Sequence, residues 1–78
     1  KLPVLTTEDG IKRIKEFFGK LLEWKNLNDL IPNNFSYKKN LKRSATAGLF
    51  SGSLELAKEG NLTIKQNKLF DEIYIKEK

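Results

Sequence analysis

Few residues of this chain have the types and spacing for chemistry. Histidine and cysteine are both absent, which removes the commonest general base, the commonest metal ligand and every thiolate. Ser44, Ser51 and Ser53 therefore have no imidazole to activate them. Asp71 and Glu72 are adjacent on an expected strand, so they point to opposite faces and cannot work as an acid–base pair. There is no glycine-rich phosphate loop and no carboxylate series with metal-ligand spacing. These absences predict a non-enzyme with no cofactor and no metal. What remains is a local run of cations, Lys38, Lys39, Lys42 and Arg43, suited to phosphate contact.

That run belongs to a 78-residue chain of net charge +5, with 15 Lys+Arg against 10 Asp+Glu. The excess favours acidic partners in general, yet the remaining lysines are spread along the chain as a solvated surface would have them. At 38% hydrophobic the chain has enough apolar content to fold, as one domain near the lower size limit for a self-sufficient core. The longest apolar run is a few residues, so no membrane span is expected. The sequence has no Met and starts at Lys1, which suggests an excised piece of a longer protein.

The stretch Arg43–Ile75 organises the rest: a long helix, a glycine stop and two short strands. At helical spacing Ala45, Leu49 and Leu56 form one apolar stripe. Ala47, Phe50, Leu54 and Ala57 form a second, about 100–140° around a helix of 3.6 residues per turn. A small domain can cover one stripe itself, so part of this helix is expected to meet another molecule. Sequence alone leaves open which stripe that is. Gly48 and Gly52, one turn apart, allow another backbone to come close, from inside this domain or outside it.

Ahead of that stretch, Leu2–Leu5 suits an edge strand or an extended lead-in. Thr6 or Thr7 can cap a first helix over residues 7–23, with Glu8 and Asp9 in its first turn and Ile11, Ile14, Phe17, Phe18, Leu21 and Leu22 on one face. Trp24 is expected in the core. A short second helix carries Leu27, Leu30 and Ile31 and stops at Pro32. The long third helix starts between Lys39 and Ser44 and runs to Glu59, with Gly60 as its left-handed stop. Asn61–Gln66 and Phe70–Ile75 alternate as strands around a turn at Asn67-Lys68; the second strand offers either a pairing edge or a lysine-guarded one. Three helices and a C-terminal hairpin, with a possible N-terminal strand, predict an α+β winged-helix domain over residues 1–78.

Specific residues sharpen this reading. Phe50-Ser-Gly-Ser-Leu-Glu-Leu-Ala-Lys-Glu-Gly60, then Ile64-Lys-Gln66, then Phe70-Asp-Glu-Ile73, resemble the C-terminal winged-helix domain of the bacterial kleisin family of segregation and condensation protein A (ScpA). The shared pattern is a Phe, Leu-Glu-Leu four residues on, a small residue and a glycine, a strand ending in Gln, and a Phe-x-x-Ile strand. The likeness is densest over Arg43–Ile75 and reaches more weakly to about Thr6. Ser51, Gly52 and Ser53 depart from it, standing where relatives often carry larger aliphatic residues.

The resemblance implies an adaptor of an SMC–kleisin condensin complex, cytoplasmic and nucleoid-associated, acting in chromosome condensation and segregation. Its C-terminal domain would cap an SMC ATPase head. ATP would belong to the head, the segregation and condensation protein B (ScpB) would bind a middle region outside this sequence, and DNA would be contacted only weakly or indirectly. The expected partner interface comprises Leu49, Phe50, Ser53, Leu54, Tyr74 and Ile75. The competing reading is a DNA-binding winged helix of a transcription regulator, using Lys38, Lys39, Lys42 and Arg43 on phosphates. Against it, the third helix has no Arg, Asn or Gln after Arg43 to read base edges.

Overall fold

The computed structural model describes residues 4–66 and 72–78. The chain begins with an extended lead-in whose Leu5 is buried, then enters helix α1, Thr7–Lys15. Thr6 caps it reciprocally: the Thr6 hydroxyl accepts from the Asp9 N–H at 3.1 Å, and the Asp9 carboxylate accepts from the Thr6 N–H at 3.2 Å. Two orphan amides are satisfied at once.

The helix ends earlier than its apolar spacing predicts. Phe17 and Phe18 donate to the carbonyls of Ile14 and Lys15, three residues back, which tightens the chain into turns. Gly19 then takes φ +93, a left-handed conformation that favours glycine. Its N–H donates to the Glu77 carboxylate. Beyond this break Leu21 is buried while Leu22 is exposed, so the two do not lie together on one apolar helical face. The Leu21 carbonyl accepts from Glu77 N–H at 2.8 Å, so leaving the helix here lets the chain run alongside the last strand.

A two-residue strand β1, Lys25–Asn26, follows. The expected short second helix is a 3-10 helix over Leu27–Leu30, capped by the Asn26 side chain on the Asn28 N–H at 2.9 Å. Arg13 fixes this turn to α1, its Nε donating to the Leu30 carbonyl at 2.7 Å. A second 3-10 turn, Asn33–Phe35, buries Phe35.

Helix α2, Lys39–Lys58, is the longest element. Gly60 (φ +85) closes it: Asn61 N–H reaches the Leu56 carbonyl at 3.0 Å and Gly60 N–H the Ala57 carbonyl at 3.0 Å. This paired arrangement satisfies two terminal carbonyls. Strands β2, Leu62–Lys65, and β3, Tyr74–Glu77, complete an antiparallel three-stranded sheet of order β1-β3-β2. Ile64 pairs with Ile75 and Lys65 with Tyr74 on one side; Lys25 pairs with Ile75 and Asn26 with Tyr74 on the other.

The fold is thus a small α+β domain with two α-helices among the described residues, where three helices were expected. The third strand of the sheet is Lys25–Asn26, and Val4 and Leu5 lie in no strand. The expected turn at Asn67-Lys68 and the start of the Phe70 strand fall outside the described residues.

Helices α1 and α2 cross at contact distance, and glycines make this possible. A Cβ at Gly52 would sit 2.7 Å from the Ile11 nitrogen and 2.8 Å from the Gly10 carbonyl carbon, and one at Gly48 would overlap the Leu5 carbonyl. The small-residue pair therefore packs inside the domain, and the departure at Gly52 from a larger side chain is what the crossing needs. Around it lies one core: Leu5, Ile14, Leu21, Leu27, Leu30, Phe35, Leu41, Ala45, Leu49, Leu56, Leu62 and Ile75.

Candidate partner-docking surface

The two stripes of α2 have different fates. Ala45, Leu49 and Leu56 are sealed in the core, together with Leu41, Gly48, Gly52 and Ser53. On the second stripe Ala47 is exposed, Phe50 and Ala57 are half-buried, and Leu54 is 44% exposed. Phe50 rests its inner edge on the core cluster. Leu54 follows one turn later on the same face. The face left to solvent is therefore the one carrying Phe50 and Leu54.

Three members of the expected interface lie elsewhere. Leu49, Ser53 and Ile75 are fully buried at 0% exposure. Leu49 belongs to the inner stripe, and Ile75 to the inward face of β3. Ser53 is sealed inside the domain, and its hydroxyl donates to the Phe50 carbonyl at 2.7 Å. That bond satisfies a group whose burial would otherwise be costly. A partner cannot reach these three without opening the domain.

Tyr74 is half-buried on β3, alternating with Ile75 and so on the outward face of the sheet. It does not join Phe50 and Leu54 in one patch on α2. The last strand also offers no free edge along its paired residues, because β3 is the central strand; β2 is at one side of the sheet.

Sequence reasoning missed what stands beside Tyr74. Trp24, expected in the core, is 38% exposed. The Lys65 and Lys76 ammonium groups lie 5.1 and 5.7 Å from its ring centroid, within cation–π range. Thr63 pairs with Lys76 and Lys65 with Tyr74, so these residues share the outward face. The available signal was the alternation Tyr74, Lys76 against Ile73, Ile75, which already put aromatic and cationic groups together on one side.

Lys38, Lys39, Lys42 and Arg43 are all exposed at the start of α2. Among the described residues the ion pairs are Arg13–Glu16 and Lys58–Glu55, so none of the four cations is paired with a carboxylate of the described residues. No group of three or more metal-ligating side chains forms among the described residues. No helix among them is long and apolar enough to cross a membrane. The resolved pKa shift belongs to Asp9, lowered chiefly by its hydrogen bonds from the Thr6 backbone and side chain; it serves the α1 cap.

A small α+β domain that buries one stripe of its longest helix and leaves the other to solvent defines the class. The family follows from comparison. The model of the conserved region of Rad21/Rec8-like proteins matches residues 35–78, from Phe35 through α2, β2 and β3, and the chain belongs to that family. Comparison with curated proteins and with solved structures finds no match. Rad21/Rec8-like proteins are kleisins, which associate with SMC proteins, and membership gives this chain a role in an SMC–kleisin complex. The resemblance read from the sequence holds at the level of the kleisins; the matching family is the Rad21/Rec8-like one, not specifically the bacterial segregation and condensation protein A.

Proposed function

We propose that this domain is an adaptor that caps the ATPase head of an SMC protein, with the outer face of α2 as the docking surface. The observation that carries the reading is the pair Phe50 and Leu54. Both lie within the family-matching region, one turn apart, and Leu54 is among the large hydrophobic side chains left exposed. Large apolar groups that fill a partner's pocket and lose their water supply most of the binding energy of an interface. The adaptor would work without catalysis or cofactor, on chromosome condensation and segregation at the nucleoid in the cytoplasm. A region of the parent chain outside this sequence would meet a further subunit such as the segregation and condensation protein B.

The test is binding of the folded domain to its cognate SMC head, with and without ATP. Leu54→Glu should abolish binding while far-UV circular dichroism stays that of the parent, because the side chain is nearly half exposed and can turn a carboxylate to solvent. Lys38→Glu, Lys39→Glu and Lys42→Glu combined should leave head binding largely intact. If Leu54→Glu binds like the parent while the triple variant does not, the apolar face is not the interface.

A further inference from the structure

Between the first 3-10 turn and the second turn of α2 lies a recess of about 340 Å³, lined by Asn28, Ile31, Ser36, Lys42, Arg43 and Thr46. Its floor offers one apolar side chain, Ile31. Every other lining group is a cation, a hydroxyl or a carboxamide. Among the described residues no carboxylate lines it, and neither Lys42 nor Arg43 is engaged in an ion pair. The Thr46 hydroxyl donates to the Lys42 carbonyl at 2.8 Å and lies 3.4 Å from Asn28 Oδ1, so α2 and the first 3-10 turn meet at the recess.

We infer that this recess and the cations on its rim form a site for the phosphodiester backbone of duplex DNA. The chemistry of the lining selects an oxyanion: two cations without a carboxylate partner among the described residues, beside the Asn28 carboxamide, suit phosphate oxygens. The extent of the charge selects a polyanion over a single phosphate group. Lys39, Lys42 and Arg43 stand at helical spacings of three and four, so their side chains emerge about 5–6 Å apart on one face. Lys38 extends the strip, and Tyr37 beside it is 69% exposed. One phosphorylated side chain could engage the recess but would leave the outer lysines unmet. A duplex carries one charge per about 1.7 Å of its axis and can meet all four cations together.

The site is sequence-independent, because α2 has no Arg, Asn or Gln beyond Arg43 to read base edges. It does not rest on the docking of the outer face of α2. The two sites occupy different parts of the same helix and can fail separately.

The experiment is fluorescence anisotropy of this chain with short labelled duplexes of two unrelated sequences, titrated against salt. Both duplexes should bind alike. With three to four phosphate contacts, affinity should fall roughly 40- to 150-fold from about 50 to 200 mM salt. Lys42→Glu with Arg43→Glu should remove most of the binding and flatten the salt slope. Lys15→Glu with Lys20→Glu makes the same charge change on exposed positions elsewhere and should cost much less. Leu54→Glu should bind DNA like the parent.

Circular dichroism verifies that each variant is folded. Equal losses in the two double-charge variants would show that net charge, not this recess, holds DNA. Absence of binding at low salt would overturn the proposal. So would tighter binding of a phosphoserine peptide than of duplex at equal concentration, which would mark the recess as a phosphopeptide site instead.

Discussion

The two helices of this domain are finished to different degrees. Helix α1 is closed by its own residues: the reciprocal Thr6–Asp9 cap, acids in the first turn, and Lys12, Arg13 and Lys15 towards its end, all complementing the helix dipole. Its apolar face goes into the core. Helix α2 is closed at its C-terminus by Gly60 and left open at its start. Its N-cap Lys38 makes no side-chain cap bond, no acid stands in its first turn, and the positive end of its dipole is crowded with cations. It also carries a second apolar stripe that the domain covers only in part. The residues of α1 serve folding, whereas those of α2 divide between folding and features that this chain by itself leaves unmet.

Paired truncations on α2 test this division most directly. Leu49→Ala removes a fully buried side chain and should cost about 2–5 kcal/mol by urea unfolding. For so small a domain that is a large share of its stability. Leu54→Ala, on the exposed face five positions along, should change stability by no more than about 0.5 kcal/mol and yet weaken binding to an SMC head. Comparable stability losses at both positions would mean that the outer stripe is as structural as the inner one, and the contrast would disappear.

Periodicity revealed much of this arrangement and hid some of it. The bounds of α2, its glycine stop, the Thr6 cap and the inward set Leu62, Ile64 and Ile75 were legible because each depends on residues close in sequence. Two apolar stripes were legible as well. Which one faces out was not, because it depends on α1 crossing at Gly48 and Gly52. Local reasoning ran α1 on through Leu22, since Leu21 and Leu22 continue its spacing. What stops the helix is distant: Glu77 accepts from Gly19 N–H and donates its own backbone N–H to Leu21. The same remote pairing brings in Lys25–Asn26 as a third strand and puts Trp24 on the outward face instead of in the core. Leu49, Ser53 and Ile75 were drawn into the expected interface because a family likeness names a surface without saying which way each side chain points.

Damage to the α1 cap should have a smaller effect than the core truncation. Thr6→Ala removes the hydroxyl that accepts from Asp9 N–H and should cost about 1 kcal/mol. The cap also has an acid limb. Asp9 has a lowered pKa in the folded chain, caused first by the Thr6 backbone and side-chain hydrogen bonds. A lowered folded value means stability that is fully present above the ordinary carboxylate pKa, about 3.9. It is lost as pH falls from there through the folded value. The stability gap between the parent and Asp9→Asn, measured by thermal unfolding, should therefore narrow as the solution is acidified below about pH 4. A gap unchanged by pH would show that the ionised carboxylate contributes nothing to closing this helix.

The smallest effect should have the opposite sign, and it concerns the open end of α2. Lys38→Asp supplies an acceptor at an N-cap that has none and replaces a cation at the positive end of the dipole with an anion. Capping side chains and favourable dipole charges are each worth about 0.3–1 kcal/mol at exposed helix ends. The variant should therefore melt slightly higher than the parent, with the larger gain at low salt, where the charge term is least screened. The same change removes one cation from the strip beside the recess, so affinity for duplex DNA should fall and its salt slope should decrease by about one contact. Improved folding together with weaker DNA binding would mean that the cap is left out at the start of α2 because the lysine there serves a ligand. A variant that melts lower would show that Lys38 already stabilises the helix by its stem packing or its extended backbone, and the two helix starts would then differ in means instead of purpose.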